Sequence, residues 1–142
     1  WRLNYEPGEL KAVSRKNGKI VKVQTIHTAG KPARIRLTAD HSTLKSGISD
    51  LAFVTVEILD KNGNLCPDAD NMINFSTDKD LIIEGVDNGS PISLERFKAT
   101  HRKAFHGKCL VVVKNVIGKK GIEKLIATSE GLDLSSISLN IR

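Results

Sequence analysis

The sequence is poor in aromatic rings, in methionine and in long apolar runs. Aromatics make up 4% of its 142 residues: Trp1, Tyr5, Phe53, Phe75, Phe97 and Phe105. So small a supply argues against single-stranded nucleic-acid surfaces, which stack bases on rows of rings. It argues equally against a broad carbohydrate platform, which needs coplanar exposed rings. Phe53 and Phe75 fall in strand-like stretches and are expected in the core. No apolar stretch approaches the roughly 20 residues of a membrane-spanning helix. Cys66 and Cys109 are the only cysteines. They allow one disulfide, and two reduced thiols are the simpler expectation. Neither belongs to a CxxC or Cys/His metal pattern. There is no phosphate-binding glycine loop and no nucleophile elbow. His27, His41, His101 and His106 show no ligand spacing. No cofactor and no metal are expected.

Met72 is the only methionine, and the chain opens on Trp1-Arg2-Leu3-Asn4-Tyr5, which alternates like a strand under way. A piece of a longer protein is expected, with any targeting signal upstream. The formal charge of +6 is uneven: residues 1–36 hold nine Lys/Arg against two Asp/Glu, and residues 37–142 hold 13 against 14. A basic N-terminal quarter suits a polyanion. Without stacking rings or a nucleic-acid fold signature it reads as a solvated or interdomain face, and no nucleic-acid partner is expected.

Period-2 alternation dominates what remains. Ile35, Leu37 and Ala39 share one face of residues 34–40, and Ala52, Val54, Val56 and Ile58 one face of residues 51–60. Ile137, Leu139 and Ile141 alternate with Ser136, Ser138 and Asn140. Such patterns mark half-buried strands. Further strands are expected over 72–77, 81–86, 108–115 and 122–129, with Leu110-Val111-Val112-Val113 suiting a central position. Turn residues separate them at Asn62-Gly63, Asp87-Asn88-Gly89, Gly118 and Gly131. Seven short strands so punctuated predict an all-β, immunoglobulin-like sandwich. Residues 89–105 have no clean period. They read as a long ordered loop with one helical turn near Ser93–Lys98, pinned by Phe97 and Phe105. Upstream, Leu10–Arg15 and Ile20–Thr28 flank Lys16-Asn17-Gly18-Lys19, a strong hairpin signal. A few strands need something to pack on. Residues 1–30 therefore read as the last strands of a preceding sandwich plus a linker, and residues 31–142 as the complete domain.

Pro7-Gly8-Glu9-Leu10-Lys11-Ala12-Val13 followed by Lys16-Asn17-Gly18-Lys19 resembles the end of a sandwich domain in glycoside hydrolase family 2 β-galactosidases. Thr28-Ala29-Gly30-Lys31-Pro32-Ala33-Arg34-Ile35-Arg36-Leu37 is similar to that family's junction into a last immunoglobulin-like domain. Residues 50–57, 60–64, 68–71, 85–89, 97–99 and 102–105 continue the likeness. The resemblance spans nearly the whole chain and implies the C-terminal region of a Bacteroides-like β-galactosidase, periplasmic or secreted. It implies catalytic carboxylates on an upstream TIM barrel, so no catalytic residue is expected here. A non-catalytic accessory module with a structural, interdomain role follows, with the enzyme's other domains as partners. A carbohydrate-binding module touching glycan, or an adhesion-type immunoglobulin-like domain, are the alternatives. Unpaired edges in residues 1–28 also suit pairing with a second copy.

Candidate contact residues are few. Asp87, Asn88 and Gly89 suit a sugar hydroxyl or a simple turn. Arg96 or Arg102 is expected to pair with Asp87 and fix the long loop. Trp1 and Tyr5 share a face expected to meet a neighbouring domain. Glu84, Asp87 and Glu95 are the nearest approach to a hydrolytic carboxylate pair, without an evident cleft. Asp60-Lys61-Asn62-Gly63-Asn64 has calcium-loop residues in the wrong register, so a hairpin turn is the preferred reading; Asp68 and Asp70 add oxygen ligands, which leaves a weak calcium site as the minor alternative.

Overall fold

The structure, a computed structural model, describes residue 2 and residues 4–142. The regular elements of the described residues are all strands. β1 (Glu9–Lys16) and β2 (Lys19–His27) form a two-stranded sheet of their own. β3 (Pro32–Ala39), β5 (Leu51–Asp60), β7 (Leu81–Asp87) and β9 (Lys108–Asn115) make a four-stranded sheet in the order β3-β5-β9-β7. β4 (Thr43–Leu44), β6 (Met72–Thr77), β8 (His101–Lys103), β10 (Gly121–Thr128) and β11 (Ser135–Ile141) make a second sheet in the order β4-β11-β10-β6-β8.

The alternation seen in the sequence decides which side chains meet. Ala52, Val54, Val56 and Ile58 of β5, with Cys109, Val111 and Val113 of β9, line the inner face of the four-stranded sheet and are buried. Ile73 and Phe75, Leu125 and Ala127, and Leu139 and Ile141 face them from the second sheet. Two facing apolar layers of this kind are what hold a sandwich together. β9 is internal, which explains why Leu110 and Val112 on its outer side are also half-buried.

Several expectations shift. The strand expected over Trp1–Tyr5 includes Trp1 and Leu3, which lie outside the described residues; Asn4 and Tyr5 are not in a strand. Residues 93–98 form no helical turn. Ser93 Oγ donates to the Glu95 carboxylate and accepts from the Glu95 N–H, and such local bonds compete with helix. Phe97 does not pin the loop to the core; it is 64% exposed. Phe53 also lies outside the core, 44% exposed on the outer face of β5, whereas Phe75 is buried. β4 and β8, the two shortest strands, lie at opposite edges of their sheet.

The hairpin turn falls where Asn17-Gly18 predicts it. Both residues have positive φ, 50° and 76°, the geometry a two-residue turn needs to match strand twist. The hairpin buries almost nothing. Leu10 and Ile26 pair on one face and Val13 and Val23 on the other; Val13 is half-buried and the other three are exposed. Its stem is nonetheless fixed: Gly8 and Thr28 exchange two hydrogen bonds at its base, and Gly30 binds the sandwich.

Candidate functional site

Two buried ionic groups organise the end of the sandwich where the linker enters. The first is Asp60, 1% exposed at the end of β5. Its Oδ2 accepts from the Gly30 N–H at 2.8 Å and from Asn64 Nδ2 at 3.0 Å. Its Oδ1 accepts from the N–H groups of Asn62 and Asn64. The Gly30 N–H, helped by these other donors and opposed by burial, holds its carboxyl well below the usual range. A carboxylate so filled with N–H donors is a tie between linker and turn rather than a calcium ligand. No group of three His, Cys, Asp or Glu suited to a metal occurs among the described residues.

The second is Arg102, on the core-facing side of edge strand β8, directly opposite Ile73. It is 1% exposed. Its guanidinium crosses to the edge of the other sheet, where Nη2 donates to Asp87 Oδ1 at 3.2 Å and to Asn88 Oδ1 at 3.1 Å. Nη1 donates to the Glu95 carbonyl at 3.0 Å. The Phe97 ring lies 5.4 Å from its central carbon, within cation–π range. Nε has no hydrogen bond and lies 3.7 Å from Glu95 Oε2. Of the two arginines that could meet Asp87, the structure selects Arg102. Arg96 is exposed and takes no part in this network. Hydropathy cannot flag Arg102 as a core residue; its place opposite Ile73 becomes visible only once β8 is paired.

Asp87-Asn88-Gly89 is a tight turn. Asp87 Oδ1 accepts from the N–H groups of Asn88 and Gly89, and Asn88 Nδ2 donates to the Lys103 carbonyl. These residues border an open depression of about 240 Å3 with Thr55, Lys108 and Leu110. Their polar atoms are largely committed inward, to Arg102 and the backbone. A second open cleft, about 590 Å3, lies between the hairpin base at Gly8, Glu9, His27 and Thr28 and the turn at Asn62 and Asn64. Tyr5 is 79% exposed and lines neither. Trp1 lies outside the described residues.

The carboxylates do not form a hydrolytic pair. Glu84 lies 2.5 Å from Lys114 Nζ and 3.6 Å from Lys98 Nζ. The Lys114 ammonium holds its carboxyl below the ordinary value, the opposite of what a general acid needs. Glu95 Oε1 accepts from the Lys103 N–H. On the outer face, Glu57 is clasped by Arg36 and Lys108; burial opposes its ionisation, but these two cations prevail and its carboxyl is lowered. Cys66 and Cys109 are free and buried. Burial pushes the Cys109 thiol up to about 12 and raises that of Cys66, so neither is a nucleophile.

Two facing sheets, antiparallel except where the short β4 pairs in parallel with β11, with an inward arginine at one edge, define an immunoglobulin-like sandwich module. Comparison with known proteins narrows this further. The family described as glycoside hydrolase family 2 C-terminal domain 5 matches residues 35–138. Beta-galactosidase BoGH2A of Bacteroides ovatus is 59% identical over 132 residues, 93% of this chain and 15% of that protein. A putative beta-glucuronidase of Formosa agariphila is 32% identical over 109 residues, 76% of this chain and 10% of that protein. A crystal structure of a glycosyl hydrolase family 2 member from Bacteroides cellulosilyticus superposes with a TM-score of 0.93 at 35% identity, covering 100% of this chain and 18% of that one. The chain belongs to the glycoside hydrolase family 2 C-terminal domain 5 family. It spans between 10% and 18% of the length of these relatives.

Proposed function

We propose that this chain is the non-catalytic, interdomain module of a family 2 β-galactosidase, and that it holds a neighbouring domain through the β1–β2 hairpin. One observation carries the reading. The hairpin exposes Leu10, Ile20, Val21, Val23 and Ile26, yet its stem is tied to the sandwich through Gly30 and Asp60. An isolated pair of strands is marginal in water. A bare hairpin on a fixed stem is suited to complete another sheet. The level of identity to a β-galactosidase favours β-galactosides over β-glucuronides as the substrate of the whole enzyme. Hydrolysis then belongs to carboxylates on an upstream barrel, as the family resemblance implies. We take the enzyme to act in the periplasm or outside the cell, a reading that rests on the same family resemblance alone.

The test uses the long protein. Replacing Val23 and Ile26 together by Asp is expected to lower its melting temperature and release this module to protease, with hydrolysis of a small β-galactoside retained. Unchanged stability and protease resistance would refute the interdomain role. Sedimentation that finds the hairpin joining two copies would replace the intramolecular partner by a second chain. Affinity electrophoresis in polysaccharide gels distinguishes the carbohydrate-binding alternative. No retardation is expected; sugar-competed retardation lost in Asp87→Ala would favour glycan binding.

A further inference from the structure

The loop between β7 and β8 carries the most exposed apolar side chains of the sandwich. Leu94 is 99% exposed and Ile92 85%, with Phe97 beside them. Solitary exposed apolar residues need no explanation, but three within six positions on one loop do. The loop is held firmly at both ends. Asn88 is tied to Lys103 and Arg102. The Glu95 carbonyl is tied to Arg102, and its carboxylate to the Lys103 N–H. The Phe97 carbonyl accepts the Val86 N–H at 2.8 Å. Residues 90–94 therefore project as a fixed spur. Burying an arginine without a partner for its Nε is costly. Such a cost is intelligible if the conformation it fixes has a use.

The position of the spur suggests its partner. Across the four-stranded sheet, Pro32 pairs with Asp60, Glu57 with Lys108 and Leu110 with Asp87. The linker therefore enters β3 at the same end at which β7 leads into the spur. Hairpin and spur rise from one pole of the sandwich. Ile117 and Ile48 mark the other, where Gly118 bonds Ser46.

We infer that the spur of residues 90–94 is a second docking element, and that it packs its apolar tip, Ile92 and Leu94, on the same domain of the long protein that the hairpin engages. This rests on the interdomain reading above and deepens it. The Gly30–Asp60 tie fixes a single point, about which a neighbour is still free to turn. Two contacts on one pole, at opposite edges of the four-stranded sheet, fix its angle.

Cysteine accessibility in the long protein tests this. Cys66 and Cys109 are buried, and labelling read site by site by peptide mass mapping separates introduced thiols at Leu94, Ile26 and the far-pole reference Ile117 from every other cysteine of the long protein. Leu94→Cys is expected to react with a maleimide about tenfold or more slowly than Ile117→Cys, as a residue behind a docked surface does. Equal rates at these two sites would overturn the inference. Slow labelling at Ile26→Cys with fast labelling at Leu94→Cys would leave the hairpin contact standing and remove only the spur. Fast labelling at both would remove both readings. Protection of Leu94→Cys that disappears on dilution would assign the spur to a second copy and also overturn the proposal. Hydroxyl-radical footprinting of the unsubstituted long protein gives the same comparison at Leu94 and Ile117, in case the thiol at 94 itself weakens docking.

Discussion

Arg102→Met keeps most of the side chain's volume and removes its N–H fork. The substitution leaves Asp87 Oδ1 with the Asn88 and Gly89 N–H groups, and Asn88 Oδ1 with the Ser90 N–H. The Glu95 carbonyl loses the Arg102 donor. A bond with a charged partner contributes about 1.5–3 kcal/mol, and the guanidinium makes all three bonds of this kind. Asp87 is 47% exposed, so its share belongs at the lower end. The gross loss is about 4 kcal/mol from the three bonds. Removing a buried guanidinium with an orphaned Nε returns roughly 2 kcal/mol of desolvation. The net expectation is a loss of about 2 kcal/mol, or a fall in melting temperature of roughly 4–8 °C. Urea unfolding should be followed by circular dichroism, because Trp1 is the only tryptophan and sits far along the chain from this loop. Hydrogen exchange should quicken most at residues 88–97, and in β5 and β9 only by as much as the loss of global stability dictates. Arg102→Lys keeps the charge but not the fork, and should destabilise to a similar degree. Wild-type stability in Arg102→Met, together with unaltered exchange in the loop, would refute the role given to the guanidinium.

Asp60→Asn puts an amide where the carboxylate accepts four N–H donors, so exchange should quicken at Gly30 and along β1 and β2. Because the folded carboxyl of Asp60 is depressed, its contribution is complete above its unfolded value and is lost as pH falls towards the folded one; an acid titration followed by circular dichroism should find Asp60→Asn less pH-dependent below about pH 4. Gly107→Ala forces a Cβ to within 2.2 Å of the Cys66 carbonyl oxygen at φ +73°, so a loss of about 3 kcal/mol or more, or failure to fold, is expected in urea titration. A thiol reagent at pH 8 should modify neither Cys66 nor Cys109 in the folded chain and both in urea, since both are buried and their thiols are raised.

Three strands were legible because burial on one face writes a period of two into the sequence, and β3, β5 and β11 carry it plainly; β9 was legible instead as an unbroken apolar run, the mark of a central strand. The hairpin was legible because Asn17-Gly18 tolerates positive φ at both positions. β4 and β8 were not, since two or three residues cannot show a period. In the loop after β7 hydrophobic reasoning fell short in two ways. Phe97 reads as a core anchor and is exposed, while Arg102, expected as a partner for Asp87, is also buried in the core. Both outcomes share one cause. Arg102 takes the inward position at the sheet edge, and the Phe97 ring meets its guanidinium rather than the core. The turn at Asp87-Asn88-Gly89 was legible as a turn, but its inward commitment to Arg102 depends on a residue 15 positions away.

The buried polar groups at the two poles differ in kind, and the difference bears on what each pole does. At the far pole, Asn115 is 2% exposed. It donates to the carbonyls of Lys45 and Ile48 and accepts the Asp50 N–H. A neutral amide suffices to pin that turn. Glu123, also buried there, makes one 3.4 Å bond to the Asp80 N–H. At the linker pole, two ionised side chains are almost wholly removed from water, and each binds backbone of a segment that carries exposed apolar residues. Apolar side chains of similar volume would close the sheet edge at less desolvation cost. They would not fix the direction of Gly30 or the height of residues 90–94. Buried ionic bonds at one pole, against a neutral amide at the other, mark the linker pole as the one whose geometry is held most strictly, which is what the interdomain role proposed above requires.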